Sequence, residues 1–295
     1  MVEDLDDISA VVNRRPDLVV LCVKYIPTIE PGNKLWLAKY LQEHGIPFTG
    51  SDRETLRFDS DKAFAKRHLI ERDIKTARFF LAQPGSVYRQ QDLPLALPLF
   101  VKPLDAANGN GIDEYSLVHD FASYESRVAH ICKAYQTSAL VEDVLPGREF
   151  TVAILDDPWQ SNRLIMPIEI VVPKNAKGDR VLGCVEKSNN KEELSLVEEP
   201  ILSAVSALAS QVFSELGARD FGRIDVKLNA ANIPHFIEAN LVPGMTPGNS
   251  YFPMASMLNR GMSYADTVLK MIEVALRRYE RPAMPLPAGL ARSTS

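Results

Sequence analysis

Cysteine is scarce in this 295-residue chain: Cys22, Cys132 and Cys184 show neither CxxC spacing nor pairing. That excludes a disulfide framework and a cysteine-rich metal centre, and leaves reduced core thiols as the expectation. No basic or histidine-rich neighbourhood singles out any of the three as reactive. Long apolar runs are also missing. Leu18–Val23 is the longest near the N-terminus and is far too short to span a bilayer. The opening MVEDLDDISA is acidic, the opposite of a signal peptide. A cytosolic protein with no membrane partner is therefore expected. Positive charge is not in excess either. The formal net charge of -5 argues against a general nucleic-acid binder. No internal repeat is visible.

What is present is ordinary globular material, 46% apolar and 24% charged. The length exceeds one typical domain, so two or three subdomains around more than one core are expected. Leu18–Val23 reads as a buried strand, Lys34–His44 as a helix closed by Gly45, and Ile46–Thr49 as a short second strand. Ser60-Asp61-Lys62 opens a helix to about Arg72, with Ser60 or Asp61 as its cap. Leu99–Lys102 is a strand ending in Pro103, and 116–135 a helix. Ala139–Val144, Glu149–Leu155 and Ile165–Val172 follow as strands. Pro173–Lys191 is polar and lysine-bearing and reads as a mobile loop. Pro200–Leu216 is an amphipathic helix closed by Gly217, and Ser263–Arg278 is a last helix. The Pro/Ala/Ser tail from 282 has the composition of disorder.

The densest chemistry lies in 221–246. Phe221–Leu228 and Phe236–Asn240 alternate as two strands of a hairpin around the turn-rich Asn229–Pro234. Alternation puts Arg223, Asp225 and Lys227 on one face, with Ile224, Val226 and Leu228 behind. Glu238 and Asn240 share a face on the second strand. Two carboxylates and an amide oxygen on one pleated surface suit a hard cation such as Mg²⁺, which is commonly shared with nucleotide phosphates. The plainer alternative is a solvated polar face.

With VEDVLPGREFTVAIL (141–155), GRIDVKLN (222–229) and EANLVPGMTPGNSYFPMA (238–255) in one order, the chain resembles the D-alanine–D-alanine ligases of the ATP-grasp superfamily over roughly 45–278. The resemblance implies a mixed α/β and α+β architecture: two α+β subdomains enclosing ATP, behind an N-terminal α/β domain. It implies an ADP-forming peptide ligase that works through an acyl phosphate on amino-acid substrates, in peptidoglycan precursor synthesis, and a homodimer. It assigns Asp225, Glu238 and Asn240 to one or two magnesium ions, for which manganese could substitute. Arg223 and the Gly244 N–H match the oxyanion stabilisers; a salt bridge to Asp225 and a turn glycine are their plainer roles. Lys102 and Lys62 match phosphate-facing lysines. Glu142 matches the acceptor of the adenine amino group, with backbone near Asp143 and Leu145 on the ring edge. Glu149 matches the ribose carboxylate. Ser250 and Tyr251 stand where the second amino acid's carboxylate binds, and Lys187 stands as the loop lysine over the γ-phosphate.

Departures cluster on the first-substrate side. Only about 17 residues precede Leu18–Val23, and the family's His-Gly and Gly-Glu-Asp-Gly signals give way to VKYIPTIEPG (23–32), with Glu30 as the remnant acidic residue. The family's serine-rich phosphate loop is replaced by Asp105–Gly111, where Gly109 and Gly111 can admit phosphate to backbone N–H groups and Asn108 or Asn110 can stand in for serine hydroxyls. The expected division is a reduced N-terminal domain at 1–60, an ATP-grasp small subdomain at 61–145, a large subdomain at 146–280 and a tail at 281–295. Two rivals remain at this point: a specialised dipeptide ligase of secondary metabolism, and a non-catalytic ATP-binding homologue.

Overall fold

A computed structural model describes residues 4–28, 33–87, 89–105, 109–157, 162–173, 181–183 and 192–280. Three antiparallel sheets organise it. A small ribbon joins β1 (Tyr25–Pro27) to β2 (Lys34–Trp36). A four-stranded sheet contains β3 (Phe79–Ala82), β4 (Leu99–Pro103), β5 (Leu117–Val118) and β6 (Ala139–Asp143), in the order β3-β6-β4-β5. A five-stranded sheet contains β7 (Glu149–Asp157), β8 (Asn162–Val171), β9 (Glu193–Leu196), β10 (Asp220–Leu228) and β11 (Pro234–Asn240), in the order β11-β10-β7-β8-β9. The helices are α1 (Leu5–Asn13), α2 (Leu37–Glu43), α3 (Arg53–Ser60), α4 (Lys62–Ile70), α5 (Phe121–Tyr135), α6 (Ile201–Glu215), α7 (Tyr251–Arg260) and α8 (Tyr264–Glu280).

The five-stranded sheet is covered on both faces, and the alternation of its strands decides what each face carries. Phe150, Val152 and Ile154 of β7 join Ile224, Val226 and Leu228 of β10 in one core, against Val205, Ala209, Val212 and Phe213 of α6. Those four α6 positions recur at helical spacing, which fixes the buried stripe. The helix ends at Gly217, at φ +67°, where Ala218 N–H reaches back to the Phe213 carbonyl at 3.1 Å. On the opposite face Ala153, Leu155 and Phe221 pack with Met166, Ile168 and the α7 residues Phe252 and Ala255. Further along that same face the side chains become Glu149, Thr151, Arg223, Asp225 and Lys227. The face is therefore apolar under α7 and polar where it meets the four-stranded sheet.

Several sequence expectations change in the N-terminal part. Leu18–Val23 is not a buried strand. Only Val19 bridges Phe48, and Val20 and Val23 are 43% and 49% exposed. Two backbone bonds, Val19 N–H to the Pro47 carbonyl and Thr49 N–H to the Val19 carbonyl, are the whole of that pairing, so Ile46–Thr49 forms no strand either. Within Lys34–His44 the helix starts only at Leu37, because Lys34–Trp36 pairs with β1 and Trp36 packs edge-on against Tyr25. The helix expected over 116–135 begins at Phe121, where Asp120 caps Ser123 N–H, and Leu117–Val118 pairs with β4 instead. Asp61 rather than Ser60 caps α4, accepting Phe64 N–H at 2.9 Å. Most of Pro173–Lys191 and the tail from 282 lie outside the described residues.

The N-terminal segment is tied to the C-terminal helix. Asp220 accepts Gly50 N–H at 2.8 Å and both Nε and Nη2 of Arg278, whose Nη2 also reaches the Phe48 carbonyl at 2.7 Å.

Candidate active site

A cleft of about 410 Å³ opens between the four-stranded and five-stranded sheets, lined by side chains from both. Phe100 and Lys102 come from β4 and Glu142 from β6. Glu149, Asp225, Lys227, Ile237, Glu238 and Tyr251 face them from the other side. The linker 143–147 forms the end wall, with Asp143, Val144 and Leu145 exposed to the cavity. Its shape depends on Gly147, whose N–H bonds the Leu228 carbonyl at 3.0 Å. A Cβ there would sit 2.6 Å from the Leu228 oxygen and 2.7 Å from its Cβ, so only glycine lets the linker lie against β10.

Glu142 is the electrostatic centre of the β6 side. It is 3% exposed, with Lys102 Nζ 2.7 Å from Oε2 and Lys66 Nζ 2.6 Å from Oε1. Burial alone would push this carboxyl up, yet the two ammonium groups hold it below its ordinary value. Lys66 is pushed down, chiefly by burial and then by Lys102 nearby, whereas the carboxylates Glu142, Glu238 and Glu149 outweigh burial at Lys102 and raise it. Lys66 meets Glu142 Oε1 as a close ion pair. Lys66 also donates to Thr76 Oγ1 at 2.5 Å, and that hydroxyl donates to the Phe236 carbonyl.

Asp225 is the centre of the hairpin side. Its register partner is Glu238, and Arg223 pairs with Asn240. Arg223 grips Asp225 with Nε to Oδ1 and Nη2 to Oδ2, both at 3.0 Å. Thr151 Oγ1 donates to Oδ1 at 2.6 Å, and Asn240 Nδ2 donates to Oδ2 at 3.1 Å. Burial opposes the Arg223 charge, and Asp225 more than compensates, so the guanidinium stays protonated above its ordinary value. The Tyr251 ring lies over this guanidinium, 5.5 Å from ring centroid to Cζ. The Tyr251 hydroxyl donates to Glu192 Oε1 at 2.8 Å. Burial, then Glu192, pushes it well up.

The remaining sequence-assigned residues fall around this core. Lys62, at the start of α4, comes within 3.7 Å of Glu238 Oε2. Glu149 is paired with Lys227 at 2.7 Å. Asp143 forms a two-point ion pair with the exposed Arg78 and takes its place on the cleft through the linker. Gly244 faces Ser250 so closely that an added Cβ would meet Ser250 Oγ at 3.0 Å. Ser250 Oγ accepts Thr246 N–H at 2.8 Å, which folds 243–250 into a compact turn before α7. Gly109 lines the cleft at φ +75°, and Gly111, at φ +74°, leaves no room for a Cβ beside Pro103. Glu30, Asn108 and Lys187 lie outside the described residues.

Four residues of the site were not assigned from the sequence. Lys66 follows Lys62 by four positions, one turn along the same helix face, and that spacing was the available signal. Thr151 alternates with Glu149 on β7, so it had to share that face. Lys227 was placed on the correct face without a partner, and nothing local reveals that it meets Glu149. Asp59 accepts the N–H groups of Leu241 and Val242, a contact across 182 positions that no local pattern announces.

Among the described residues no three His, Cys, Asp or Glu side chains group as a metal site on their own. The oxygen-bearing set is two carboxylates plus the Asn240 amide.

A polar cleft between two antiparallel sheets, with buried lysines on one wall and carboxylates on the other, is the arrangement of an ATP-grasp enzyme. The family described as D-ala D-ala ligase C-terminus matches residues 74–273. The D-alanine–D-alanine ligase of Bordetella pertussis (strain Tohama I) is 31% identical over 242 residues, spanning 81% of this chain and 73% of that protein. Among solved structures, D-alanine–D-alanine ligase from Bacillus anthracis complexed with ATP superposes with a TM-score of 0.71 at 21% identity, over 93% of this chain and 84% of that one. VanG D-Ala:D-Ser ligase from Enterococcus faecalis gives 0.68 at 20% identity, over 88% and 73%. This chain belongs to the D-alanine–D-alanine ligase family, whose members are ATP-dependent, ADP-forming ligases of small amino acids. No helix among the described residues is long and apolar enough to cross a membrane.

Proposed function

We propose that this chain condenses two amino acids into a dipeptide at the expense of ATP, through an acyl phosphate. The observation that carries this reading is the meeting in one cleft of Lys102 and Glu142 from one sheet with Glu149, Asp225 and Glu238 from the other. In the first step a carboxylate oxygen of the first amino acid attacks the γ-phosphorus, and the bond to ADP breaks. In the second the amine of the other amino acid attacks the acyl carbon. The amide forms, phosphate leaves with that carboxylate oxygen, and one proton is released.

The residues divide the work by charge. Lys102 and Lys62 meet the phosphates as point charges. Glu142 Oε1 is an acceptor for the adenine amino group, the linker backbone near Asp143 and Leu145 addresses the ring edge, and Glu149 accepts the ribose hydroxyls. Arg223 commits Nε and one N–H of Nη2 to Asp225, so Nη1 and the second N–H of Nη2 are the donors left for the oxyanion, together with the Gly244 N–H. The salt bridge to Asp225 and the oxyanion role are thus compatible.

Asp225, Glu238 and Asn240 are the residues that would hold magnesium, and their oxygens suit it. Each Asp225 oxygen already accepts two hydrogen bonds, so the Asn240 amide must turn its oxygen toward the ion and release Asp225 Oδ2. The ion supplies neutralisation of phosphate charge during transfer.

D-Alanine is the first substrate to try at both positions, with D-serine as the second-position alternative that the VanG neighbour suggests. A specialised dipeptide ligase is the second reading. The region from Val23 to Gly32 departs most from the family, and it holds the only sequence candidate, Glu30, for the first amino group. We propose a 1–60 N-terminal unit, a 61–145 nucleotide unit and a 146–280 catalytic unit as the working division, and a cytoplasmic, homodimeric enzyme.

The test is magnesium-dependent ADP release against a panel of D- and L-amino acids, with product mass read in parallel. Dipeptide formed one-for-one with ADP supports the proposal. ADP release that no amino-acid pair increases would sink it.

A further inference from the structure

The divergent N-terminal segment meets the site through one buried carboxylate. Asp59, in the last turn of α3, accepts Leu241 N–H at 2.7 Å and Val242 N–H at 3.2 Å through Oδ2. Its Oδ1 accepts Lys24 Nζ at 2.9 Å, and the side chain is 7% exposed. Leu241 and Val242 follow directly on β11, where the ladder with β10 has ended, so their N–H groups need another acceptor. Bonds to an ionised carboxylate are the strong way to supply one. From the opposite side the Leu241 side chain is fully buried, and its Cδ2 lies so close to Gly222 that a Cβ there would be 3.0 Å away. The dipeptide is therefore held by its amides on one side and its side chain on the other.

This dipeptide lies between two functional positions. Asn240 precedes it and Pro243-Gly244 follows it. We infer that Asp59 is a positioning residue for acyl transfer, clamping Leu241-Val242 so that Asn240 and the Gly244 N–H keep their relation to Arg223 and Asp225. Lys24 balances the clamp's charge and links it to the β1–β2 ribbon. This rests on the ligase reading above for its consequence in catalysis, and on the geometry alone for the clamp.

The test uses Asp59→Ala and Asp59→Asn in the full chain, with Lys24→Met beside them. Amide hydrogen exchange reads the clamp without reference to any substrate. Leu241 and Val242 should exchange at least about ten-fold faster in Asp59→Ala, while Arg223–Val226 keep their protection. Binding of a fluorescent ATP analogue should change less than about three-fold. Turnover should fall about 10²-fold, as expected of a misplacement near 1 Å, and ADP released per dipeptide should rise as the acyl phosphate is lost to water. Asp59→Asn keeps an acceptor oxygen and should fall between wild type and Asp59→Ala. Lys24→Met keeps both amide bonds and should cost less turnover than Asp59→Ala. Unchanged exchange at Leu241 and Val242 would overturn the clamp. A loss of ATP affinity equal to the loss of turnover would overturn its role in acyl transfer. A wild-type chain that makes no dipeptide removes the ligase reading and leaves the exchange result to decide the clamp.

Discussion

Replacing Glu142 by glutamine changes one atom's identity in the most highly charged buried spot of the cleft. The carboxylate stands between Lys66 and Lys102 at 2.6 and 2.7 Å. At an effective dielectric of about 20, each contact carries roughly 6 kcal/mol of Coulomb attraction before desolvation is subtracted. Desolvation takes back several kcal/mol per ion, and removing one member of such a buried group typically costs about 3–5 kcal/mol, because the remaining charges stay buried without compensation. In a chain of this size that corresponds to a fall in Tm of roughly 6–10 °C. The variant also changes the response to acid. The folded-state value of Glu142 lies below its ordinary 4.5, so its stabilisation is complete above that value. It is lost as the pH falls through the folded value. Glutamine has no such titration, so unfolding midpoints measured from pH 6 down to pH 3 should fall less steeply in Glu142→Gln than in wild type. Thermal unfolding followed by circular dichroism across that range is the assay. A Tm within 1 °C of wild type, or an identical acid slope, would refute the claim that this triad is ionised and coupled.

Glu238→Ala should abolish magnesium-dependent turnover with little change in Tm, since the side chain is partly exposed; magnesium titration of ADP release checks it. Arg223→Lys keeps a positive charge but loses the two-point grip on Asp225, and should lower kcat by about 10²–10³-fold with a smaller change in ATP KM, read by steady-state kinetics. Gly147→Ala places a Cβ within 2.7 Å of Leu228 backbone and side chain. It should cost about 1–3 kcal/mol by overpacking and raise ATP KM through the displaced linker, as denaturant titration and kinetics would show. Lys227→Met removes a partly exposed partner of Glu149. It should leave stability within about 1 kcal/mol while altering affinity for the ribose end of ATP, measured against a 2′-deoxy analogue.

Strand alternation makes the hairpin legible in the sequence. Arg223, Asp225 and Lys227 share a face because side chains on a strand must, and Ile224, Val226 and Leu228 enter the core for the same reason. The amphipathic stripe of α6 and the apolar runs of β4, β6, β7 and β8 were readable on the same physical basis. The N-terminal segment was not. Leu18–Val23 has strand composition, but among the described residues its pairing does not extend beyond the bridge of Val19 with Phe48. Lys34–Trp36 could continue the helix that follows, and its pairing with Tyr25–Pro27 is a tertiary fact. In the site, residue types and order pointed to the chemistry, while partners did not show. That Lys66 is wholly buried against Glu142, or that Asp59 reaches Leu241, depends on how α3 and α4 pack on the sheets. Short-range periodicity carries no record of that packing.

In the proposed route a carboxylate oxygen is transferred to phosphorus before the amide forms. That transfer is tested most directly by turnover with the first amino acid labelled with ¹⁸O in its carboxylate. Mass analysis of the released phosphate should find one labelled oxygen for each dipeptide made. Unlabelled phosphate accompanying dipeptide would contradict the acyl-phosphate route, and with it the roles given to Lys102, Arg223 and Asp225.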